Sequence, residues 1–116
     1  MHELSLMGDI LNLITTDATD RGIKKIDHIH LIVGELSNAM PDALDMAFSI
    51  FKAQGVDILS PDSILTMDIE KANAQCVLCE LEYEPDQRLA VCPNCLVPTG
   101  KLISGDKFSV EFYKGS

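Results

Sequence analysis

Residues 26–36 read IDHIHLIVGEL, and how this stretch is flanked decides the fold. Ile29, Leu31 and Val33 alternate with His28, His30 and Ile32, the two-residue period of a strand with one face in a core. The odd-numbered face is expected inward and the two histidines outward. Upstream, Leu4, Met7, Ile10, Leu11, Ile14 and Ala18 recur at helical spacing. Gly22 suits the residue just past that helix, and Arg21, Lys24 and Lys25 lie near its negative end. The first helix is therefore predicted over residues 4–21. Downstream, Pro41 opens a second helix with Leu44, Ala47, Phe48 and Phe51 as its buried stripe, and Gly55 stops it. SILTMDIEK (63–71) predicts a second strand with Leu65, Met67 and Ile69 inward. KFSVEFYK (107–114) predicts a third, with Phe108, Val110 and Phe112 on one face.

The order is helix, strand, helix, strand, cysteine-bearing segment, strand. Two helices on a three-stranded sheet make an α+β layer. Because the last strand returns most simply to that sheet, the cysteine segment is expected as an inserted, zinc-ribbon-like lobe. The domain reading is residues 1–72 and 105–116 for the α/β part and 73–104 for the lobe.

The chain has 116 residues, 47% apolar and 23% charged, a globular composition. Eighteen acidic residues against nine Lys and Arg leave a net charge of −9. Such a surface repels phosphate backbones and anionic lipid, so no nucleic-acid or membrane partner is expected. No apolar run reaches the roughly 18 residues of a membrane span, and no signal peptide is apparent. A cytoplasmic location and a mature N-terminus follow as expectations.

All four cysteines fall in CVLC–ELEYEPDQRLAV–CPNC, two C-x2-C pairs twelve residues apart. Each pair turns two thiolates toward one point, and two pairs make the tetrahedral sulfur set that Zn²⁺ accepts. A piece below about 40 residues rarely holds a core without metal, disulfide or partner, so the metal would supply folding free energy. With protein sulfur at all four positions of Cys76, Cys79, Cys92 and Cys95, the role is structural. A redox pair and an iron tetrathiolate also use such motifs, and YEPD with CPNC is similar to a rubredoxin. There, however, glycine usually follows the first pair, where this chain has Glu80. A nucleic-acid-binding ribbon needs cations, and the segment has only Arg88 and Lys101 against Glu80, Glu82, Glu84 and Asp86.

The chain opens MHELSL. The amine of Met1, the deprotonated amide of His2 and its Nδ1 can close adjacent chelate rings in one plane, which favours Ni(II) or Cu(II). Glu3, another side chain or a partner is left to complete the set, as suits a carrier that must release its ion. Methionine removal requires a small second residue, so Met1 is expected to stay with its amine free. The plain alternative is a helix lead-in, with Glu3 facing the positive helix end. His28 and His30 on one strand face form a further pair able to take a metal, although such pairs are commonly just the solvated side of a sheet.

With these features together, the chain resembles the HypA/HybF family of nickel metallochaperones for nickel–iron hydrogenase maturation. The resemblance is carried by MHELSL, by GELS at 34–37, by AQG at 53–55, and by the paired CxxC and CPNC. It implies nickel binding through Met1, His2 and Glu3 and structural zinc on the four cysteines. An enzyme acting through His2, Glu3 or the His28/His30 pair is not expected, because the sequence has no nucleophile motif, phosphate loop or acid–base constellation. It also implies partnership with a HypB-family GTPase and delivery to the hydrogenase large-subunit precursor, with urease maturation proteins as further partners of some members. Two departures stand out: Asn38 where the family commonly has glycine after GELS, and Ala72 where it often has proline. Hinges near 72–75 and 104–105 would let the lobe shift. A homodimer by exchange of elements is left open. The competing reading is a zinc-ribbon interaction module with an inert N-terminus.

Overall fold

The structure of the chain, a computed structural model, describes residues 2–85 and 90–116. Its elements are α1 (His2–Asp20), β1 (Ile26–Gly34), α2 (Pro41–Ala53), β2 (Leu59–Glu70), β3 (Asn73–Cys76), β4 (Glu82–Tyr83), β5 (Gly100–Ser104) and β6 (Phe108–Gly115). One sheet has the order β2-β1-β6 and a second the order β4-β3-β5. The chain is α+β, with the expected two helices and three-stranded sheet, and the cysteine segment adds a small sheet of its own. Two compact units divide it: Met1–Leu31, Ala39–Asp68 and Ser109–Ser116 form one, and Ile32–Asn38 with Ile69–Phe108 the other.

In the first unit, β1 is the central strand, and Ile29 and Leu31 are fully buried. Met7, Ile10, Leu11, Ile14 and Ala18 of α1 and Leu44, Ala47 and Phe48 of α2 are buried too, while Leu4 and Phe51 at the ends of the expected stripes are half-buried. Each large aliphatic side chain so placed contributes about 1.5–3 kcal/mol. Strand β2 runs parallel to β1: Ile26 N–H donates to the Ile58 carbonyl (2.9 Å), and further along His28 and His30 meet Thr66. Parallel neighbours require a crossover, and α2 supplies it. Gly22 (φ 73°) ends α1, with Ile23 N–H closing on the Ala18 carbonyl at 2.8 Å.

Several local expectations are corrected. Helix α1 begins at His2 rather than Leu4. Past the end of α1, Arg21 pairs with Asp17 (2.9 Å), and Lys25 Nζ donates to the Asp57 carbonyl. Strand β2 starts at Leu59, ahead of Pro61, a residue an edge strand accommodates. Ser63 is buried there because its hydroxyl donates to the Ile26 carbonyl and accepts from Ser60 N–H (2.9 Å). Inward burial then fades along this edge strand, which has a neighbour on one side only. Leu65 and Met67 are half-buried and Ile69 is 53% exposed.

The Tyr113 hydroxyl donates to Asp17, fastening β6 to α1. That bond is the main cause holding the Asp17 carboxyl below its ordinary range, with Arg21 adding to it. A lowered carboxyl contributes stability above its unfolded pKa of about 3.9 and loses it as pH falls through the folded value. Tyr113→Phe is therefore expected to lower Tm by a few degrees at neutral pH, the deficit shrinking as the pH drops below about 4. Paired thermal melts across pH check this.

In the second unit, β3 pairs antiparallel with β4 (Ala74↔Tyr83) and with β5 (Cys76↔Gly100). Gly100 is required by close approach: a Cβ there would sit 1.9 Å from Tyr83 Oη and 2.6 Å from the Ala90 carbonyl oxygen. Residues 72–75 and 104–105, read as hinges, are laced to one another. Asn73 pairs with Ser104, Ser104 Oγ donates to the Lys71 carbonyl (3.0 Å), and Gly105 N–H donates to Glu70 Oε1 (2.7 Å). The unit is nearly inside out. Besides Val33, the buried residues are small or sulfur-bearing (among them Ala72, Ala74, Cys76, Pro85, Ala90 and Cys92), whereas Val77, Leu78, Val91, Leu96 and Ile103 are exposed.

Candidate metal centres

The four cysteine sulfurs converge to within 4.8 Å of one another. Cys76 Sγ lies 3.8 Å from Cys95 Sγ, and Cys79 Sγ 3.7 Å from Cys92 Sγ. A tetrahedron with metal–sulfur bonds of about 2.3 Å has edges of about 3.8 Å. The sulfur set therefore fits zinc.

Local backbone builds this geometry twice over. In the first knuckle, Glu80 N–H donates to the Cys76 carbonyl (3.0 Å) and Cys79 N–H to Cys76 Sγ (3.4 Å). In the second, Leu96 N–H donates to the Cys92 carbonyl (2.8 Å) and Cys95 N–H to Cys92 Sγ (3.4 Å). The residue after each pair is left-handed, Glu80 at φ 65° and Leu96 at φ 60°. Glu80 thus occupies the conformation for which glycine is the usual choice, without changing the turn. Left-handed backbone costs a non-glycine residue about 1–2 kcal/mol, against about 0.5–1 kcal/mol of extra chain entropy lost by glycine. Leu96 is 75% exposed and has little packing to lose. Leu96→Gly is accordingly expected to stabilise the lobe by about 0.5–1 kcal/mol, read as higher resistance to a zinc chelator. Asn38, the departure after GELS, stands at φ 66°, and asparagine is among the residues that tolerate that region.

The electrostatics ask for a cation. The Thr99 hydroxyl, 3.0 Å from Cys76 Sγ, is the main cause drawing that thiol down to about 6, with the Cys79 and Leu78 amides helping. The Cys95 thiol is pushed up to about 12, chiefly by its hydrogen bonds to Cys79 and Cys76. Four crowded sulfurs cannot all ionise alone, and a divalent ion removes that conflict. Thr99 and the knuckle amides were not foreseen, because nothing in cysteine spacing points to them.

At the other candidate centre, Met1 lies outside the described residues. His2 opens α1, its side chain 58% exposed and its Nδ1 3.6 Å from Glu3 Oε2. The first amides of a helix have no intrahelical partner, which leaves the His2 nitrogen free of the ladder. Glu3 is only 14% exposed at its side chain. Its carboxyl is held below the usual range first by its own N–H, then by the Met40 N–H and by His2. Met40 is the N-cap of α2 and has no side-chain cap of its own, so the Glu3 carboxylate stands in for one. The structure therefore places His2 and Glu3 together and gives Glu3 a second, structural partner.

His28 and His30 lie side by side on the outer face of β1, both bonded to Thr66 Oγ1 at 2.6 Å. His30 also faces Asp68 and Glu111. Those partners come from strands far apart in the chain and leave no motif.

A family model described as "Hydrogenase/urease nickel incorporation, metallochaperone, hypA" matches residues 1–114. The hydrogenase maturation factor HypA of Moorella thermoacetica is 32% identical over 115 residues, covering 99% of each chain. That of Desulfitobacterium hafniense (strain DCB-2) is 35% identical over 111 residues, covering 96% of this chain and 95% of the relative. Among solved structures, the solution structure of the Ni metallochaperone HypA from Helicobacter pylori superposes with a TM-score of 0.68 at 21% identity, covering 97% of this chain and 96% of that one. A solution structure titled HypA protein gives 0.70 at 22% identity, covering 100% and 97%. At those identities the two structures speak for the fold.

Proposed function

The chain belongs to the HypA family, and from that premise we propose that it is a cytoplasmic nickel carrier that binds Ni(II) at its N-terminus and delivers it during nickel–iron hydrogenase maturation. Nickel is the cargo, held by Met1, His2 and Glu3. Cys76, Cys79, Cys92 and Cys95 hold zinc, which cross-links the two knuckles and has no open position for substrate. No chemical step is assigned to any residue. A HypB-family GTPase and the hydrogenase large-subunit precursor are the partners proposed, with urease as a further client. No helix among the described residues is long and apolar enough to cross a membrane.

The observation supporting this reading is the start of α1, where an exposed imidazole stands beside the Glu3 carboxylate at the second position of the chain. Exposed Val77, Leu78 and Leu96 on the knuckles offer an apolar contact surface for a partner. A second reading, a zinc-ribbon interaction module without physiological nickel, draws on the engagement of Glu3 at the Met40 amide. Metal stoichiometry separates them. The test is a Ni(II) titration of the zinc-loaded chain beside a version with two residues added before Met1. The carrier reading requires one exchangeable nickel that the extension removes.

A further inference from the structure

We propose that the outer face of the first sheet carries a second, water-open site for a borderline divalent ion of the Ni(II), Co(II) or Zn(II) class, with His30, Asp68 and Glu111 as its protein ligands. One ligand comes from each strand: His30 from central β1, Asp68 from β2 and Glu111 from β6. His30 Nε2 lies 3.1 Å from Asp68 Oδ2 and 3.9 Å from Glu111 Oε2, and the three ligand atoms all fall within 4.8 Å of one another. Ligands about 2.1 Å from a tetrahedral ion stand about 3.4 Å apart, and the two measured edges bracket that value. One imidazole and two carboxylates form a mixed nitrogen–oxygen set suited to this class of ion. Three protein ligands leave a position for water or for exchange.

The site needs the imidazole proton on Nδ1, and Thr66 can accept it there once an ion takes the place of the Asp68 hydrogen bond at Nε2. Phe112 stacks on the His30 ring (centroids 5.1 Å apart, planes at 15°) and meets His28 edge-on at 5.3 Å. His30 Nδ1 and His28 Nε2 both lie 2.6 Å from Thr66 Oγ1. A hydroxyl has one proton to give. When His30 Nε2 turns its lone pair to an ion, Nδ1–H donates to Thr66, whose O–H then donates to His28 Nε2. The His28–Thr66–His30 chain is the outer-sphere support that fixes a ligating histidine, and Thr66 and His28 act through His30. Access is open, since the Asp68 and Glu111 side chains are 70% and 50% exposed and the His30 ring is 13% exposed. The charge balance favours a cation, with two carboxylates facing the ring. Lys114 Nζ, 5.4 Å from the Phe112 ring centre, is the opposing charge beside it.

This site is independent of the N-terminal one. Zinc-loaded, full-length protein is titrated with Co(II) while the histidine ring resonances are followed by NMR. The same is done with His2→Ala and with Asp68→Asn/Glu111→Gln, near-isosteric changes at exposed positions. The site predicts that Co(II) broadens the His30 and His28 ring signals in the wild type and in His2→Ala. In the carboxamide double variant the affinity should fall by more than about tenfold. His30 signals unmoved at saturating Co(II), or equal affinity in wild type and double variant, would overturn it. In the diamagnetic Zn(II) form, the His30 ring should carry its proton on Nδ1, and a proton on Nε2 would also overturn it.

Discussion

Cys92→Ala is expected to abolish stoichiometric zinc and to unfold the lobe while the helices and first sheet persist. The small unit has almost nothing else to hold it. Of the buried residues between 69 and 104, Cys76 and Cys92 are proposed ligands, and Ala72, Ala74, Pro85 and Ala90 bring little apolar surface. A structural zinc supplies an apparent ~10–16 kcal/mol of folding free energy, far beyond what these few small buried residues contribute. Losing one ligand of four leaves the ion open and one knuckle unclosed. Amide NMR of zinc-supplemented protein should show residues 73–85 and 90–104 collapsing to random-coil shifts, with Ile29 and Leu31 retaining their dispersion. A dispersed lobe spectrum in zinc-free Cys92→Ala would refute the structural role.

The second large effect concerns the N-terminus. Two residues placed before Met1 convert its amine to an amide and move His2 to the fourth position, which removes the amine donor that anchors the chelate proposed there. Nickel affinity should fall by at least ~100-fold, about 2.7 kcal/mol. His2→Ala should lose a similar amount by removing the imidazole alone. Neither change touches the sulfur cluster, so zinc content should hold. Glu3→Gln is milder at the metal but acts on the fold, because the Glu3 carboxylate stands at the Met40 amide. A thermal shift in Glu3→Gln that is absent from His2→Ala would separate the helix-capping role from ligation. Equal nickel affinity in the extended and natural chains would leave the zinc-ribbon module as the reading.

What was legible in the sequence was local. The alternation around Ile29 and Leu31 and the helical stripes from Met7 to Ala18 and Leu44 to Phe48 depend on residue order alone, and their positions are buried as expected. The convergence of the cysteines was also readable, because a tight CxxC turn is a property of a few consecutive residues. The second sheet was not, since strands of four and two residues, Asn73–Cys76 and Glu82–Tyr83, are too short to show a period. Pro61 hid the start of β2, and the exposure of Ile69 follows from an edge position that residue order does not state. The companions of the proposed ligands were the least visible. Thr99 beside Cys76, the Met40 amide beside Glu3, and Asp68 and Glu111 around His30 are brought together by pairing of distant segments.

The lobe that keeps sulfur inside and its valines and leucines outside has a calorimetric consequence. Heat capacity and denaturant sensitivity of unfolding both scale with the surface newly exposed, and here much of the apolar surface is in water beforehand. Its opening should therefore carry a small heat-capacity increment and a shallow urea slope. Temperature and denaturant will hardly grip it, and with zinc on the four cysteines as proposed, the free zinc concentration will set whether it is folded.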